Sequence, residues 1–187
     1  MCLKPLSTSG LWLGLSLVLA VCGTSTTTSP TPTDNARLLL VGQSNADGLG
    51  LALREKINLV PLIDYNAKVA DWVRYPLFAE SATHPDLIAF VWWQGAADIE
   101  TPPDEYVLKL RELIVIARTV HRDLPVRIIE IPITNGRALV HEAQAVVVGD
   151  PGVQLIPTAD LTPLPTGHFS QDSYNLVRDR VLASLGR

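Results

Sequence analysis

The sequence predicts an α/β fold, a small parallel sheet of four or five strands with helices on both faces. Three observations predict it. Short apolar, β-rich runs alternate along the chain with amphipathic helical patterns. The run Leu87–Trp93, LIAFVWW, is apolar without a break, as expected of a strand covered on both faces. The chain of 187 residues, 47% hydrophobic and 18% charged, suits one sizeable core and is too short for two ordinary domains.

The N-terminus stands outside this fold. Lys4 precedes the apolar run Leu11–Val21, LWLGLSLVLAV, which has the length of a signal-peptide hydrophobic region and is too short to span a bilayer. Residues 1–22 therefore read as a signal peptide. Residues 23–35, GTSTTTSPTPTDN, are Ser/Thr/Pro-rich and read as a flexible tether. Cys22 ends the segment LAVC, which resembles a bacterial lipoprotein box, where the cysteine becomes the lipidated first residue. Val21 departs from that pattern, which usually has Gly, Ala or Ser before the cysteine. The alternatives are plain secretion with cleavage near Cys22 to Ser25, or a retained anchor. Each places the domain, residues 36–187, outside the cytoplasm, as a secreted protein or a membrane-anchored lipoprotein.

Within the domain, Arg37–Gly42, RLLLVG, is a buried-strand pattern ending at a glycine. Asn45–Lys56 follows as a helix weakened in its first turns by Gly48 and Gly50. Ile57–Ile63 is β-rich, and Pro61 makes it an edge or short strand. Leu87–Trp93 is the strand covered on both faces. Asp104–His121 is the best helix, preceded by Pro102 and Pro103, with acids at its start and Arg118, His121 and Arg122 at its end. Val126–Ile133 is a further buried strand, Arg137–Val147 a helix and Val153–Pro157 the last strand. Ser170–Leu185 closes the chain as an amphipathic helix with Ser170 as N-cap.

Charge and cysteine usage narrow the function classes. The formal net charge of −4 leaves no basic footprint for nucleic acid. The two cysteines, Cys2 and Cys22, both precede the domain, which excludes a disulfide framework, a cysteine zinc site and a cysteine nucleophile within it.

In parallel α/β sheets ligands bind beyond the carboxyl ends of the strands. The loops after Gly42, Trp93, Ile133 and Pro157 are therefore the ones to read. The first is Gly42-Gln43-Ser44-Asn45-Ala46-Asp47-Gly48. A serine there stands at the sheet edge, where helix N-terminal amides favour developing negative charge; read alone, it is equally a helix N-cap. The second is Trp92-Trp93-Gln94-Gly95-Ala96-Ala97-Asp98. Gln94 can donate into the same cleft, and Gly95 lets backbone approach a ligand; read alone, the loop is a tight turn. The last is Thr166-Gly167-His168-Phe169-Ser170. His168 there can face Ser44, and a histidine takes a serine proton near neutral pH; read alone, it is a surface histidine. His84, His121 and His141 lie in a polar loop, at a helix C-terminus and within a helix.

The order of these three motifs resembles the SGNH hydrolase superfamily, and more narrowly its sialate O-acetylesterase-like branch of carbohydrate acetylesterases. The resemblance rests on Gly42-Gln43-Ser44-Asn45, on Trp92 to Asp98 as Trp-x-Gln-Gly-x-x-Asp, and on Gly167-His168-Phe169-Ser170. It implies a three-layer α/β/α sandwich resembling flavodoxin. It implies Ser44 as nucleophile and His168 as general base, with the Ser44 backbone N–H and the Gln94 side chain as oxyanion hole. Gln43, Asn45, Gly95 and Asp98 would support these loops. The implied reaction forms an acyl-enzyme from an O-acetylated sugar or polysaccharide and hydrolyses it, without metal or organic cofactor.

The sequence departs from the family in three places. Pro165 stands where an Asp usually precedes the histidine by three residues, and Ala96 where Glu usually follows Gln-Gly. No glycine lies between Gly50 and Gly95, so the usual second-block oxyanion donor has no counterpart. Asp160, Asp172 or a carbonyl near Pro165 are the candidates to orient His168, with Asp160 preferred. Asp160 is equally a turn residue, and Asp172 a favourable acid in a helix first turn. Trp72, Trp92 or Trp93 is a candidate to stack on a sugar, against a plain role in the core. The alternative function is a catalytically impaired relative that binds glycan or cell-wall material.

Overall fold

The computed structural model describes residues 35–133 and 136–187. The segment read as a signal peptide, with Cys22, and all but Asn35 of the segment read as a tether lie outside the described residues.

Five strands form one parallel sheet in the order β2-β1-β3-β4-β5, where β1 is Arg37–Gly42, β2 Asn58–Ile63, β3 Leu87–Trp93, β4 Val126–Ile129 and β5 Val153–Ile156. This is the flavodoxin-like order, whose switch point lies between β1 and β3. Leu38 to Val41 of β1 are each 0% exposed, as a strand covered on both faces must be. β2 is the edge, and Pro61 sits there opposite Leu40, where a missing N–H costs least.

Right-handed crossovers place α1, Ser44–Arg54, on one face of the sheet and the later connections on the other. Those connections hold α2 (Val69–Val73), α3 (Pro76–Ser81), α4 (Pro103–Ala117) and α5 (Ala138–Val147). The last helix, α6 (Gln171–Ser184), returns to pack against α1. The result is the expected three-layer sandwich.

Several boundaries differ from the sequence reading, each for a local reason. α1 starts at Ser44 with Gln43 in the cap position, so Ser44 is the first helical residue and not the N-cap. β4 ends at Ile129 and not Ile133: Glu130 still donates its N–H to Ile156, but the Ile131 N–H turns to the Gln144 side chain. α4 ends at Ala117, after which Arg118 turns its guanidinium to the carbonyls of Leu124 and Pro151. The segment between β2 and β3, to which the sequence reading assigned no element, holds α2 and α3. α2 starts with the Asp71 carboxylate accepting from the Lys68 N–H at 2.8 Å, and α3 has Pro76 in its first turn.

Candidate active site

Two close approaches bring the first two loops together at the switch point. A Cβ on Gly42 would lie 2.1 Å from the Trp93 carbonyl oxygen, so only glycine lets the ends of β1 and β3 meet this closely. The Gln43 N–H then donates to that carbonyl at 3.3 Å. The Gln43 side chain completes the join. Its Oε1 accepts from the Ala96 N–H at 3.0 Å, and its Nε2 donates to the Tyr65 carbonyl at 3.1 Å. Gly95 turns the second loop with φ 155°, and a Cβ there would meet Val140 at 2.6 Å.

The third loop is held to the first by Asn45. Its Nδ2 donates to the Gly167 carbonyl at 3.3 Å, and its Oδ1 accepts from the Tyr174 hydroxyl at 2.9 Å. Tyr174 also accepts from the Phe169 N–H at 3.3 Å, so one tyrosine braces both sides of His168. Burial pushes the Tyr174 phenol up, which keeps it a neutral donor.

These ties bring Ser44, Gln94 and His168 to one small cleft, together with Asn45, Trp93, Ala96, Ile131, Arg137 and Thr166. It encloses about 40 Å³. Ser44 opens α1, and the first N–H groups of a helix have no acceptor within it. The Ala46 and Asp47 N–H groups are taken by the Gln43 carbonyl, whereas no acceptor among the described residues takes those of Ser44 and Asn45, the two cleft residues that open the helix.

Gln94 does not fit the oxyanion role read from the sequence. Its Nε2 donates to the Ala67 carbonyl at 2.5 Å and to Asp98 at 3.1 Å, and its Oε1 accepts from the Trp72 indole at 2.7 Å. With 1% exposure and both amide hydrogens used, it has none to offer an oxyanion. It is a strut between β3 and α2. Asp98 belongs to the same network. It is fully buried and accepts from the Val69 N–H at 3.1 Å and the Thr101 hydroxyl at 3.1 Å. Burial pushes its carboxyl up, against the hydrogen bonds it receives.

Asp160 does not face His168 either. Its carboxylate forms a two-pronged pair with Arg180 of α6, at 2.9 and 2.5 Å, and is held below the usual carboxylate range by it. Asp172 is exposed in the first turn of α6. Among the described residues, no carboxylate lines the cleft and none hydrogen-bonds the His168 ring. The loop itself is set by the Leu164 N–H, which donates to the His168 carbonyl at 2.7 Å.

The tryptophans are core. Trp72, Trp92 and Trp93 are each at most 1% exposed, so none offers a face to a sugar. The Trp92 indole donates to the Tyr106 hydroxyl at 3.0 Å, whereas the Trp93 indole N–H has no partner among the described residues. The other histidines have local roles. His121 meets the His84 carbonyl at 2.9 Å, and His141 meets that of Ile131 at 3.1 Å. Among the described residues no three His, Cys, Asp or Glu side chains converge to hold a metal ion.

Arg137 is the cleft residue that the sequence reading missed. It was read only as the start of a helix, yet it follows β4, one of the strands whose carboxyl ends face the site.

Neither a family model nor a curated protein sequence matches this chain. Solved structures do. A carbohydrate esterase family 3 protein from Talaromyces cellulolyticus aligns over 80% of this chain and 96% of its own, with TM-score 0.61 and 13% identity. The catalytic domain of peptidoglycan O-acetyltransferase A from Streptococcus pneumoniae aligns over 81% and 93%, with TM-score 0.58 and 13% identity. A carbohydrate acetylesterase from Xanthomonas citri aligns over 77% of this chain and 40% of its own, with TM-score 0.56 and 15% identity. At these identities the likeness is one of fold alone, and it is consistent with the SGNH hydrolase fold.

Proposed function

We propose that this chain is an extracytoplasmic serine esterase that removes O-acetyl groups from carbohydrate. One observation carries the reading: Ser44 and His168, from opposite ends of the domain, line one small cleft at the first turn of α1. The fold shared with carbohydrate esterases and an O-acetyltransferase supports it.

In this reading the Ser44 hydroxyl attacks the ester carbonyl and gives its proton to the His168 imidazole. The carbonyl oxygen becomes an oxyanion, stabilised by the Ser44 and Asn45 N–H groups and the N-terminal end of α1. The C–O bond to the sugar breaks, and His168 returns the proton to the departing hydroxyl. Water then attacks the acetyl-serine with His168 again as base, releasing acetate. With no described carboxylate on its ring, His168 works without the orienting acid of a full triad. Disabling that acid in a serine protease costs on the order of 10⁴ in turnover but leaves catalysis well above water.

The test is hydrolysis of an O-acetylated sugar by the purified chain beside Ser44→Ala and His168→Ala. Turnover that both substitutions abolish supports the esterase. Absence of turnover in folded wild type, with glycan binding that survives Ser44→Ala, supports the catalytically impaired glycan-binding reading, which the unpaired His168 ring motivates. Location has its own test. Incorporation of labelled fatty acid that Cys22→Ala abolishes supports the lipid anchor.

A further inference from the structure

The cleft holds one full charge that the reaction above does not use. Arg137 lines it beside Ser44 and His168 and is half-buried. Its Nη2 lies against Gly167, where an added Cβ would stand 3.6 Å away; Gly167 has φ +82°, a conformation that favours glycine. No hydrogen bond or ion pair to a described residue takes up the guanidinium. The other arginines whose pairing is described are held: Arg111 by Asp150, Arg118 by the Leu124 and Pro151 carbonyls, Arg178 by Asp179, Arg180 by Asp160 and Arg127 by the C-terminal end of α6. Thr134 and Asn135, the two undescribed residues of its loop, carry no charge.

Burial alone pulls the guanidinium down from its usual range, with no acid opposing it, yet an arginine stays charged in any protein environment. A half-buried cation without a counter-ion is costly to the fold, and the guanidinium fork matches a carboxylate with two parallel hydrogen bonds. We propose that Arg137 is an anion subsite beside the scissile ester and that the substrate is an O-acetylated sugar bearing a carboxylate, a uronate or a carboxyalkyl sugar. The inference rests on the esterase reading for the ester and on Arg137 alone for the charge.

The test compares kcat/KM for an O-acetylated glucuronate and the identically acetylated glucose, using the full-length protein, Arg137→Gln and Arg137→Lys. Wild type is expected to prefer the glucuronate by about tenfold to a hundredfold, mainly through KM. Arg137→Gln is expected to bring the ratio to within about threefold of unity, and Arg137→Lys to keep part of it. Two results overturn the proposal. One is a wild type without preference. The other is an Arg137→Gln variant that loses kcat equally on both esters, which puts the guanidinium on the reacting oxygen instead. If neither ester is hydrolysed in a Ser44-dependent way, the esterase reading falls by itself. Calorimetric binding of glucuronate to Ser44→Ala then decides the subsite: binding lost on Arg137→Gln keeps it, and no binding removes it.

Discussion

Asn45 donates its side-chain amide to the carbonyl of Gly167 at 3.3 Å, tying the helix that carries Ser44 to the residue before His168. This bond joins two loops far apart in sequence and ties the start of α1 to the loop that carries His168. Asn45→Ala is expected to lower kcat on an acetate ester by about tenfold to a hundredfold, with KM little changed, because positioning and not binding is lost. The stability cost is about 1–2 kcal/mol. Asn45→Asp keeps the acceptor for Tyr174 and loses the donor to Gly167, so it should share the kcat defect. Steady-state kinetics and urea unfolding of both variants check this.

Gln94 separates a structural role from a catalytic one. Gln94→Ala leaves the Trp72 indole without its acceptor and removes donors from Asp98 and the Ala67 carbonyl, all buried. Unsatisfied buried groups cost about 1–3 kcal/mol each, so a loss of about 3 kcal/mol or more is expected in urea unfolding. Gln94→Glu places a second carboxylate against Asp98, whose carboxyl burial already raises. A raised carboxyl binds its proton more tightly in the native than in the unfolded state. Its contribution therefore grows as pH falls through the native value, the reverse of the usual carboxylate case. Gln94→Glu should accordingly regain stability as pH falls from neutral toward the ordinary carboxylate range.

The motifs at the strand ends were legible because they mark where β1, β3 and the last loop meet, and a parallel sheet puts those ends on one edge. Pro61 marked the edge strand by the same physics. What lay hidden depends on pairing across the chain. Gln94 looked free to donate because Ala67, Asp98 and Trp72 are not its sequence neighbours alone but a packed set, and only folding brings Ala67 and Trp72 to it. Asp160 looked available for His168 because nothing local reveals that α6 returns Arg180 to it. Arg137 sits at a helix start, where a cation is disfavoured; that anomaly, after a strand facing the site, was the signal that could have singled it out.

Asp160→Asn tests which partner matters to that carboxylate. Because its oxygens are committed to Arg180, hydrolysis by the variant is expected to stay within about twofold of wild type, against the on-the-order-of-10⁴ loss expected of a triad acid. Arg180 holds the carboxyl below its unfolded value. Its support of the fold is therefore complete above the ordinary carboxylate range and is lost as pH falls through the native value. Wild type should thus lose more stability than Asp160→Asn on acidification, measured as the thermal midpoint from neutral to acid pH. The pair lies at the surface with Asp160 exposed and Arg180 half-buried, so the difference is small and shrinks with salt.

Gly48 is the remaining test of how the cleft is braced. A Cβ there would lie 2.4 Å from the Tyr174 ring, so Gly48→Ala must push that ring away from α1. The hydroxyl of Tyr174 then leaves Asn45 and the Phe169 N–H, and the loop carrying His168 loses its brace. Overpacking of this kind costs about 1–3 kcal/mol. Gly50→Ala is the control, on the same helix, where the nearest atom is the tip of Leu40 at 3.3 Å. There the gain in helix propensity, up to about 1 kcal/mol, offsets a small shift of a flexible side chain. Gly48→Ala is therefore expected to lower both stability and kcat, and Gly50→Ala to change either little. Adding Tyr174→Phe to Gly48→Ala should lower kcat by less than the two single effects together, because both act through the same hydroxyl. Full additivity in that double-mutant cycle would show that Gly48 acts through α1 and not through Tyr174.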